Sequence, residues 1–470
     1  MTQYVPVIGM EIHAELTTRT KLFCRCSNTS SDLETPPNTA VCPVCLGLPG
    51  ALPVLNKRAV EATVQLGRSL GCTIPAVTKW DRKNYFYPDL PKSYQISQYD
   101  QPLCSGGELV WFDRAGERHT VALTRIHLEE DTGKLMHPAG KNYSLIDYNR
   151  SSIPLLELVS EPVITSAQQA KQFAEEYQHR LRELGIAEAS MEKGQMRVEA
   201  NISVIPAAWQ DDPEKRLTGV KIEIKNLNSF RAMERAVLYE IDRQSRVLNE
   251  GGTLRQETRG WNDAKGETYV MRTKETADDY RYFPDPDLRP LDLSWLEEEG
   301  TVTPFSARSQ AFEQLLNHGV DPKHVHTITG DPDRLAFFTR LALVEPEAIR
   351  LAVQWLNNEP RLTQFSPEEV RESLELLGQG SVSATLFKQA LADAQPGGLK
   401  HSLERVTASN AIDDLAAVVA KVLQENEAEV ARYRAGEEKL LGFFVGQLRQ
   451  ALQGKGDPGA LVSELKKQLS

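Results

Sequence analysis

The stretch IGMEIHAEL, residues 8–16, alternates apolar and polar side chains without a break. Successive side chains of a β-strand point to opposite faces, so Met10 and Ile12 face one way while Glu11 and His13 face the other. Alternation recurs in three later stretches, VALTRIHLEE (121–130), MRVEANISVI (196–205) and VKIEIKNLNSF (220–230). The chain up to about residue 290 is therefore predicted to form a mixed or antiparallel sheet with a few helices.

After about Leu296 the pattern changes to helical spacing, as in SARSQAFEQLLNHGV (306–320) and EAIRLAVQWLNN (347–358). Ser366, with Glu369 three residues later, has the spacing of a capping box and predicts a helix start. A Pro- and Gly-rich linker, QPGGLKH, lies at 395–401. We therefore predict an α+β protein with a sheet domain over 1–295, a helical domain over 296–400 and a helical tail domain over 401–470.

The composition of the 470 residues, 40% hydrophobic and 25% charged, is that of a globular protein with roughly two to four domains. The net charge of −11 argues against a general nucleic-acid binder, because phosphate contacts need clustered cations. Any contact with RNA must use a local patch. No apolar run approaches the ~18 residues of a membrane span, and the first residues do not resemble a signal peptide. We expect a cytoplasmic protein that makes no membrane contact.

Acidic and imidazole side chains share a face on two of the predicted strands, and a third strand adds another carboxylate. A solvated polar face is the simpler interpretation of each strand alone. The recurrence favours a Mg²⁺ site, since Mg²⁺ prefers carboxylate oxygens and usually binds together with substrate phosphates. The residues of the three faces are Glu11, His13 and Glu15; Arg125, His127, Glu129 and Asp131; and Arg197, Glu199 and Asn201.

Four of the six cysteines, Cys24, Cys26, Cys42 and Cys45, have the spacing C-x-C-x15-C-x2-C. Two close pairs of thiolates suit tetrahedral zinc, and four reduced core thiols are the alternative. Four protein ligands leave no open coordination position, so such a zinc would be structural rather than catalytic.

Basic and aromatic residues interleave in WDRKNYFYPDLPKSYQ (80–95), KIEIKNLNSFRAMERA (221–236) and RTKETADDYRYFPDPDL (272–288). Each stretch alone is typical of a protein surface, but such stretches also bind nucleotides or unstacked bases. The sequence contains no G-x-x-x-x-G-K-[ST] phosphate loop, no G-x-G-x-x-G and no G-x-S-x-G elbow. A bound nucleotide would therefore not use a P-loop, and hydrolysis of an amide donor would have to occur elsewhere.

Taken together, these stretches resemble the B subunit family of tRNA-dependent amidotransferases. The resemblance continues weakly through the helical region and returns at LGFFVGQLRQALQGKGDPGALVSELKKQL (441–469), so it covers essentially the whole chain. Its blocks, in chain order, are IGMEIHAEL, KLFCRCSN, VCPVCLGLPGALPVLNKRAV, DRKNYFYPDLPKSYQISQYDQP, RIHLEEDTGK, PLLELVSEP, EIKNLNSFRAMERA and ADDYRYFPDPDLRPL.

The resemblance implies a cradle-like sheet domain that holds an active site, a helical domain, and a tail domain that grips tRNA. It also implies a heterotrimer with a glutaminase A subunit and a small C subunit. In this family the B subunit uses ATP and Mg²⁺ to phosphorylate the side-chain carboxylate of Glu-tRNA(Gln) or Asp-tRNA(Asn), and ammonia then displaces phosphate. A tRNA-binding scaffold without catalysis of its own is the alternative.

The resemblance also implies roles for particular residues. Glu129 is favoured over Glu130 by strand alternation, although both match the second acidic strand of the family. Glu199 stands where the family more commonly has aspartate, which weakens the case for direct metal contact there. The metal ligands implied are Glu11, His13, Glu129, Glu130 and Glu199. The catalytic set adds Lys225 and Arg272 to the first four of these, and the nucleotide-binding set is Arg197, Lys274, Arg281 and Tyr282.

Overall fold

The computed structural model describes residues 2–29, 34–273, 280–296, 307–410, 412, 414–452, 456 and 458–469. The chain forms two compact units, Met1–Asp113 with Glu117–Ser309, and Arg114–Gly116 with Gln310–Ser470. The domain boundaries near 295 and 400 stay predictions. No described helix combines the length and apolar character that a membrane crossing requires.

The first unit is built on β-strands, many of which are long and alternate buried with partly exposed side chains. Its described α-helices include α1 (Lys57–Ser69), α2 (Ala167–Glu183), α3 (Pro213–Arg216) and α4 (Phe230–Asn249). The strands are β1 (Tyr4–Glu15), β2 (Val77–Thr78), β3 (Asp81–Asn84), β4 (Tyr94–Ser97), β5 (Cys104–Ser105), β6 (Glu108–Phe112), β7 (Arg118–Glu130), β8 (Lys134–Met136), β9 (Leu145–Asp147), β10 (Pro154–Ser160), β11 (Met196–Pro206), β12 (Ile222–Leu227), β13 (Glu257–Asn262), β14 (Glu267–Thr273), β15 (Phe283–Pro284) and β16 (Leu291–Asp292).

Nine of the described strands form one mixed sheet in the order β14-β13-β12-β11-β1-β10-β7-β5, with β6 also paired to β7. Strand β1 lies inside this sheet, antiparallel to β10 on one side and to β11 on the other. The pair β12–β13 is parallel, whereas the other pairs of the sheet are antiparallel. Strand β1, which contains most of IGMEIHAEL, therefore places its side chains between those of two neighbours.

One face of this sheet is apolar and covered by helices. Ile8 and Ile12 of β1 are fully buried in the main core, against which α2 and α4 pack. Helix α2 begins after Ser166, whose side chain accepts a hydrogen bond from the Gln169 amide. Helix α1 approaches β5 closely at Gly67, where an added Cβ would lie 2.3 Å from Cys104 Sγ. The opposite face keeps the polar residues of β1.

The regular elements described after the sheet are helices, which confirms the predicted fold class of a mixed sheet followed by helices. The bounds are α5 (Ala307–Asn317), α6 (Pro322–Thr329), α7 (Pro332–Arg340), α8 (Pro346–Asn358), α9 (Pro367–Gly378), α10 (Ala384–Asp393), α11 (Leu399–Ser409), α12 (Leu415–Glu425), α13 (Glu427–Arg434), α14 (Leu440–Ala451) and α15 (Pro458–Leu469). Helix α11 packs on α9 and α10, whereas α12, α14 and α15 share a separate small core.

The capping box predicted at Ser366 is present at the start of α9. Ser366 Oγ accepts a hydrogen bond from the Glu369 amide at 3.2 Å, and the Glu369 carboxylate accepts one from the Ser366 amide at 3.3 Å. We expect Ser366→Ala to destabilise the helical unit by about 1 kcal/mol in urea titrations followed by circular dichroism at 222 nm. Ser381→Ala, at an exposed serine between α9 and α10, is the control and should change stability by less than about 0.5 kcal/mol.

Candidate metal-binding face of the sheet

Two imidazoles and a carboxylate form a row across three neighbouring strands. His13 of β1 lies opposite Glu157 of β10, and Glu157 lies opposite His127 of β7. The Glu157 Oε2 atom is 3.1 Å from His13 Nε2 and 3.3 Å from His127 Nε2. A single carboxylate thus bridges imidazoles that are 114 residues apart in the sequence, from 13 to 127.

Two further glutamates join this row. Glu129 Oε1 is 3.7 Å from His13 Nε2, and Glu129 Oε2 is 3.4 Å from His127 Nε2. Ser97 of β4 donates a hydrogen bond to Glu129 Oε2 at 2.7 Å, which fixes the rotamer of that carboxylate. Glu11, two residues before His13 on the same face of β1, has its Oε1 atom 4.0 Å from His13 Nε2. The face therefore carries more carboxylates than the two histidines can neutralise.

The ionisation of these groups reflects that imbalance. Burial raises the pKa of Glu11 to about 7, and the carboxylates of Glu157 and Glu199 add to the shift. Burial alone would lower the pKa of His13, but its hydrogen bond to Glu157 and the nearby negative charges raise it to about 9. Burial alone would raise the pKa of Glu157, but the two imidazoles hold it well below its usual range. The cluster attracts positive charge.

The donor set of this face fits a divalent cation. The ligand atoms of Glu11, His13 and Glu157 lie within 4.8 Å of one another, and so do those of His127, Glu129 and Glu157. Carboxylate oxygens suit Mg²⁺ and Mn²⁺, whereas an imidazole nitrogen binds more readily to transition metals than to Mg²⁺, with an affinity that rises from Mn²⁺ to the later ones. The two groups share Glu157, so a metal in either would be held partly by the same carboxylate.

A third acidic group continues the face towards β11 and β12. Glu11, Glu199 and Glu223 bring their carboxylate oxygens within 4.8 Å of one another. Lys225 Nζ pairs with Glu199 Oε2 at 2.8 Å and lies 3.8 Å from Glu223 Oε1. Thr258 of β13 donates to Glu223 Oε2 at 2.6 Å. Lys225 and Glu199, both predicted site residues, thus lie beside the predicted metal-binding strand.

Glu130 lies on the other side of β7 from Glu129. Its carboxylate accepts hydrogen bonds from Lys92 Nζ, at 2.6 Å to Oε2, and from the Ile96 amide, at 2.9 Å to Oε1. Strand alternation accounts for this, because adjacent residues point to opposite faces. Glu130 is therefore not part of the metal-binding set that we propose for this face.

Arg197 lies on the polar face but contacts a carboxylate at the end of β7. Its Nη1 and Nη2 atoms donate to both oxygens of Asp131 at 3.0 and 2.9 Å, and Arg150 Nε lies 3.6 Å from the same carboxylate. Burial alone would raise the pKa of Asp131, but the charges of Arg197 and Arg150 lower it. Arg197 was predicted to bind a nucleotide, and in this structure its guanidinium is engaged within the chain.

Three tyrosines, Tyr99, Tyr280 and Tyr282, lie close together next to this face. Tyr282 stacks on Tyr99 with a centroid distance of 4.4 Å, and Lys83 Nζ lies 5.0 Å from the centroid of the Tyr280 ring. Burial alone would lower the pKa of Lys83, but the nearby Glu129 carboxylate raises it. Arg281 is exposed between the two tyrosines, and its backbone has a φ of +45°. Tyr282 thus lies near the Lys83 ammonium group, which faces the carboxylates.

The two remaining predicted site residues, Arg272 and Lys274, lie where little or nothing of the side chain is described. Arg272 lies in β14, where its backbone pairs with that of Thr258. Lys274 lies outside the described residues.

The four cysteines of the predicted zinc site lie together, with their sulfur atoms within 4.8 Å of one another. Cys42 Sγ and Cys45 Sγ are 3.9 Å apart, and the Cys42 amide donates to Cys45 Sγ at 3.1 Å. Hydrogen bonding from Cys24, with the charge of Lys21, lowers the pKa of Cys45 to about 5 against the opposing effect of burial. The cluster could hold a metal ion, and four thiols in two pairs are the donor set of structural zinc.

Two acidic residues of the site were missed from the sequence. Glu157 stands in the otherwise apolar run PLLELVS (154–160), and Glu223 stands in the alternating stretch KIEIK (221–225). Burying a carboxylate inside an apolar strand costs free energy unless the group is paired or binds a cation. The single charge of Glu157 in this run could therefore have indicated a site residue. His127 was recognised as part of an acidic face but was not counted as a site residue.

The fold and this face define an α+β protein whose central sheet carries a candidate divalent-cation site. Residues 6–297 match the model of the GatB/GatE catalytic domain, and residues 349–469 match that of the GatB domain. The chain belongs to the GatB/GatE family of amidotransferase B subunits, as the sequence predicts.

Curated relatives match over their whole length. The B subunit of an aspartyl/glutamyl-tRNA(Asn/Gln) amidotransferase from Moorella thermoacetica is 41% identical over 486 residues, covering 99% of this chain and 100% of the relative. Proteins of the same name from Thermoanaerobacter pseudethanolicus and Myxococcus xanthus are 42% and 40% identical, and cover 100% and 99% of this chain and 100% and 98% of their own. Their shared name identifies these relatives as parts of multi-subunit enzymes.

Proposed function

We propose that this chain is the subunit that activates the side-chain carboxylate of Glu-tRNA(Gln), Asp-tRNA(Asn) or both in a tRNA-dependent amidotransferase. The γ-phosphoryl group of ATP passes to a carboxylate oxygen, which gives an acyl phosphate and ADP. Ammonia then attacks the acyl carbon, and phosphate leaves. A free carboxylate is a poor electrophile, whereas an acyl phosphate carries a good leaving group. The observation that carries the proposal is the convergence of Glu11, His13, Glu129 and Glu157 on one face.

The residues of this face have distinct parts in the proposal. Glu11, His13, Glu129 and Glu157 would hold Mg²⁺, which supplies charge neutralisation and orientation for the phosphate oxygens of ATP when bound. Lys225 of β12, which pairs with Glu199 of β11, would attract a phosphate oxygen towards the acidic face. We assign Glu199 an indirect role, because its nearest partner is the Lys225 ammonium at 2.8 Å.

Three further assignments are less direct. Arg272, Lys274, Arg281 and Tyr282 would contact ATP or the acceptor end of tRNA, which stays a prediction from the family blocks. The four cysteines would hold a structural Zn²⁺. We propose a cytoplasmic heterotrimer with a glutaminase A subunit, which supplies ammonia, and a small C subunit, and a tail domain that binds tRNA.

The experiment is ADP formation by the reconstituted trimer with Glu-tRNA(Gln) and ATP while glutamine is withheld. We expect Glu11→Ala and His13→Ala each to reduce ADP formation by about 10²-fold or more, because a cation clamp at the reacting phosphate is lost. In a second reaction that contains glutamine, amidation should fall to the same extent, whereas glutamine hydrolysis, measured as glutamate release, should persist. Glu214→Gln, at an exposed residue of α3, is the control and should leave both activities unchanged.

A second candidate function is a tRNA-binding scaffold whose chemistry resides wholly in its partners. It predicts that ADP formation does not depend on the acidic face. Equal loss of ADP formation and glutamine hydrolysis in the His13→Ala trimer would likewise place these residues outside the activation site. Amidation of each misacylated tRNA by the trimer then identifies the natural substrate.

A further inference from the structure

Lys21 is a fully buried lysine next to the cysteine cluster, with 0% of its surface exposed. Its Nζ atom donates to the Tyr148 carbonyl oxygen at 3.3 Å and to Cys45 Sγ at 3.8 Å. Within the described part of the chain, no carboxylate forms an ion pair with this ammonium group. An ammonium ion without a counter-charge is strongly disfavoured in a protein interior. The negative charge that Lys21 needs must therefore come from the sulfur atoms.

The charge of the cluster depends on what it holds. Four thiolates around a divalent ion leave a net negative charge, whereas four reduced thiols carry none. A buried cation at contact distance from one sulfur is therefore favourable in the first case and costly in the second. The position of Lys21 thus favours a cluster that carries thiolate charge, as a metal-thiolate centre does, over four protonated thiols, independently of the cysteine spacing.

The backbone around Lys21 holds the ammonium in this position. The Lys21 amide donates to the Cys26 carbonyl oxygen at 3.0 Å, which ties the lysine to the loop of the first cysteine pair. Ser151 Oγ donates to the Cys45 carbonyl oxygen at 3.2 Å, and the Ser151 amide donates to the Tyr148 carbonyl oxygen at 3.0 Å. Lys21 therefore lies between both cysteine pairs and the Tyr148–Ser151 turn.

We propose that Lys21 is the buried counter-charge of a four-cysteine zinc centre, a positioning residue that stabilises the bound metal through Cys45 without ligating it. The inference rests on the zinc site proposed above and is independent of the amidation chemistry. Neutralising part of the negative charge lowers the mutual repulsion of the four thiolates and so tightens metal binding. A lysine that serves only as a packing group has no such effect on metal affinity.

The test is the Zn²⁺ affinity of the full-length chain and its Lys21→Met variant, measured by competition with a chromophoric chelator. We expect binding to weaken by about 10- to 100-fold, the usual cost of losing a residue that supports a metal ligand. The Co²⁺-substituted forms of both proteins should keep the absorption of a tetrahedral thiolate site, which shows that the four sulfurs still ligate. Lys79→Met is the control, because Lys79 pairs with Asp81 at 2.6 Å, and its zinc affinity should equal that of the unmodified chain.

Stability with and without zinc separates this role from simple packing. In the zinc-loaded chain Lys21→Met should lower the urea midpoint, because the centre loses its counter-charge. In the chelator-stripped chain the same substitution should change the midpoint less, because without the metal the cluster carries less negative charge for Lys21 to offset. Unchanged zinc affinity would overturn the proposal, as would a variant that is destabilised to the same extent, or fails to fold, both with and without zinc. An unmodified chain that binds no zinc would overturn the zinc site as well, whatever its activity in amidation.

Discussion

Replacing Glu157 with glutamine is expected to reduce ATP-dependent activation by about 10²-fold or more, with little effect on glutamine hydrolysis by the partner subunit. The substitution preserves shape and removes one negative charge. That charge lies between His13 and His127, at 3.1 and 3.3 Å, and it is shared by two of the candidate metal groups. The measurement is ADP release by the reconstituted trimer in the presence of Glu-tRNA(Gln).

The reason for so large an effect is that Glu157 is ionised in the folded protein. The imidazoles hold the pKa of its carboxyl group well below its usual range despite its burial. Glutamine offers an amide with one oxygen and no charge, so both candidate metal groups become weaker at once. We expect Mn²⁺ binding, followed by electron paramagnetic resonance, to weaken together with ADP release.

Glu161→Gln is the matched control for Glu157→Gln. Glu161 follows the same strand, and its carboxylate accepts a hydrogen bond from Thr124 at 2.6 Å in an exposed setting. Its substitution should leave ADP release and Mn²⁺ binding unchanged. Normal ADP release by the Glu157→Gln trimer would place the chemistry away from this row of side chains.

Strand alternation indicated which residues share a face, but not which strands are neighbours. Glu11 and His13 were placed on one face of β1 from IGMEIHAEL alone, and the structure has them there. The partner of His13 lies 144 residues away, on a strand that the sequence shows only as an apolar run. The order β11-β1-β10-β7 depends on packing between distant segments, and no local pattern encodes it.

The choice between Glu129 and Glu130 shows the same limit. Alternation favoured Glu129, because it shares a face with His127. In the structure the two glutamates differ in their partners from residues 92–97: Lys92 pairs with Glu130, and Ser97 donates a hydrogen bond to Glu129. These partners lie more than thirty residues earlier in the chain, so their contacts could not be read from the acidic strand itself.

Arg197 was placed correctly on the face of Glu199, but its partner was not foreseen. Arg197 was predicted to bind a nucleotide, whereas in the structure both of its terminal nitrogens donate to the Asp131 carboxylate, which is 2% exposed. The sequence contained both residues but not the strand order that brings the end of β7 close to β11 across β10 and β1. The ion pair between Arg197 and Asp131 is therefore expected to contribute mainly to the stability of the sheet unit.

Arg197→Met is expected to destabilise the sheet unit by about 3 kcal/mol, because it leaves the buried Asp131 carboxylate with Arg150 as its remaining cationic neighbour. The value lies at the low end for a broken buried pair, since Arg150 remains 3.6 Å from Asp131. Urea unfolding followed by tryptophan fluorescence measures the change. Lys193→Met is the matched control: its pair with Glu188 is exposed at 46% and 41%, so its loss should cost less than about 1 kcal/mol.

A second substitution distinguishes the ion pair from lost packing of the arginine stem. Asp131→Leu alone should also destabilise, because it leaves Arg197 without its bidentate partner. The combination of Arg197→Met with Asp131→Leu should recover most of the loss, since an apolar pair of similar volume often replaces a buried ion pair without penalty. Additive losses in the double variant would show that the two side chains stabilise the sheet independently of each other. Recovery would show that each single variant is destabilised by the charge that it leaves unpaired. It would also show that Arg197 and Asp131 form an ion pair beside the metal-binding face of the unmodified chain.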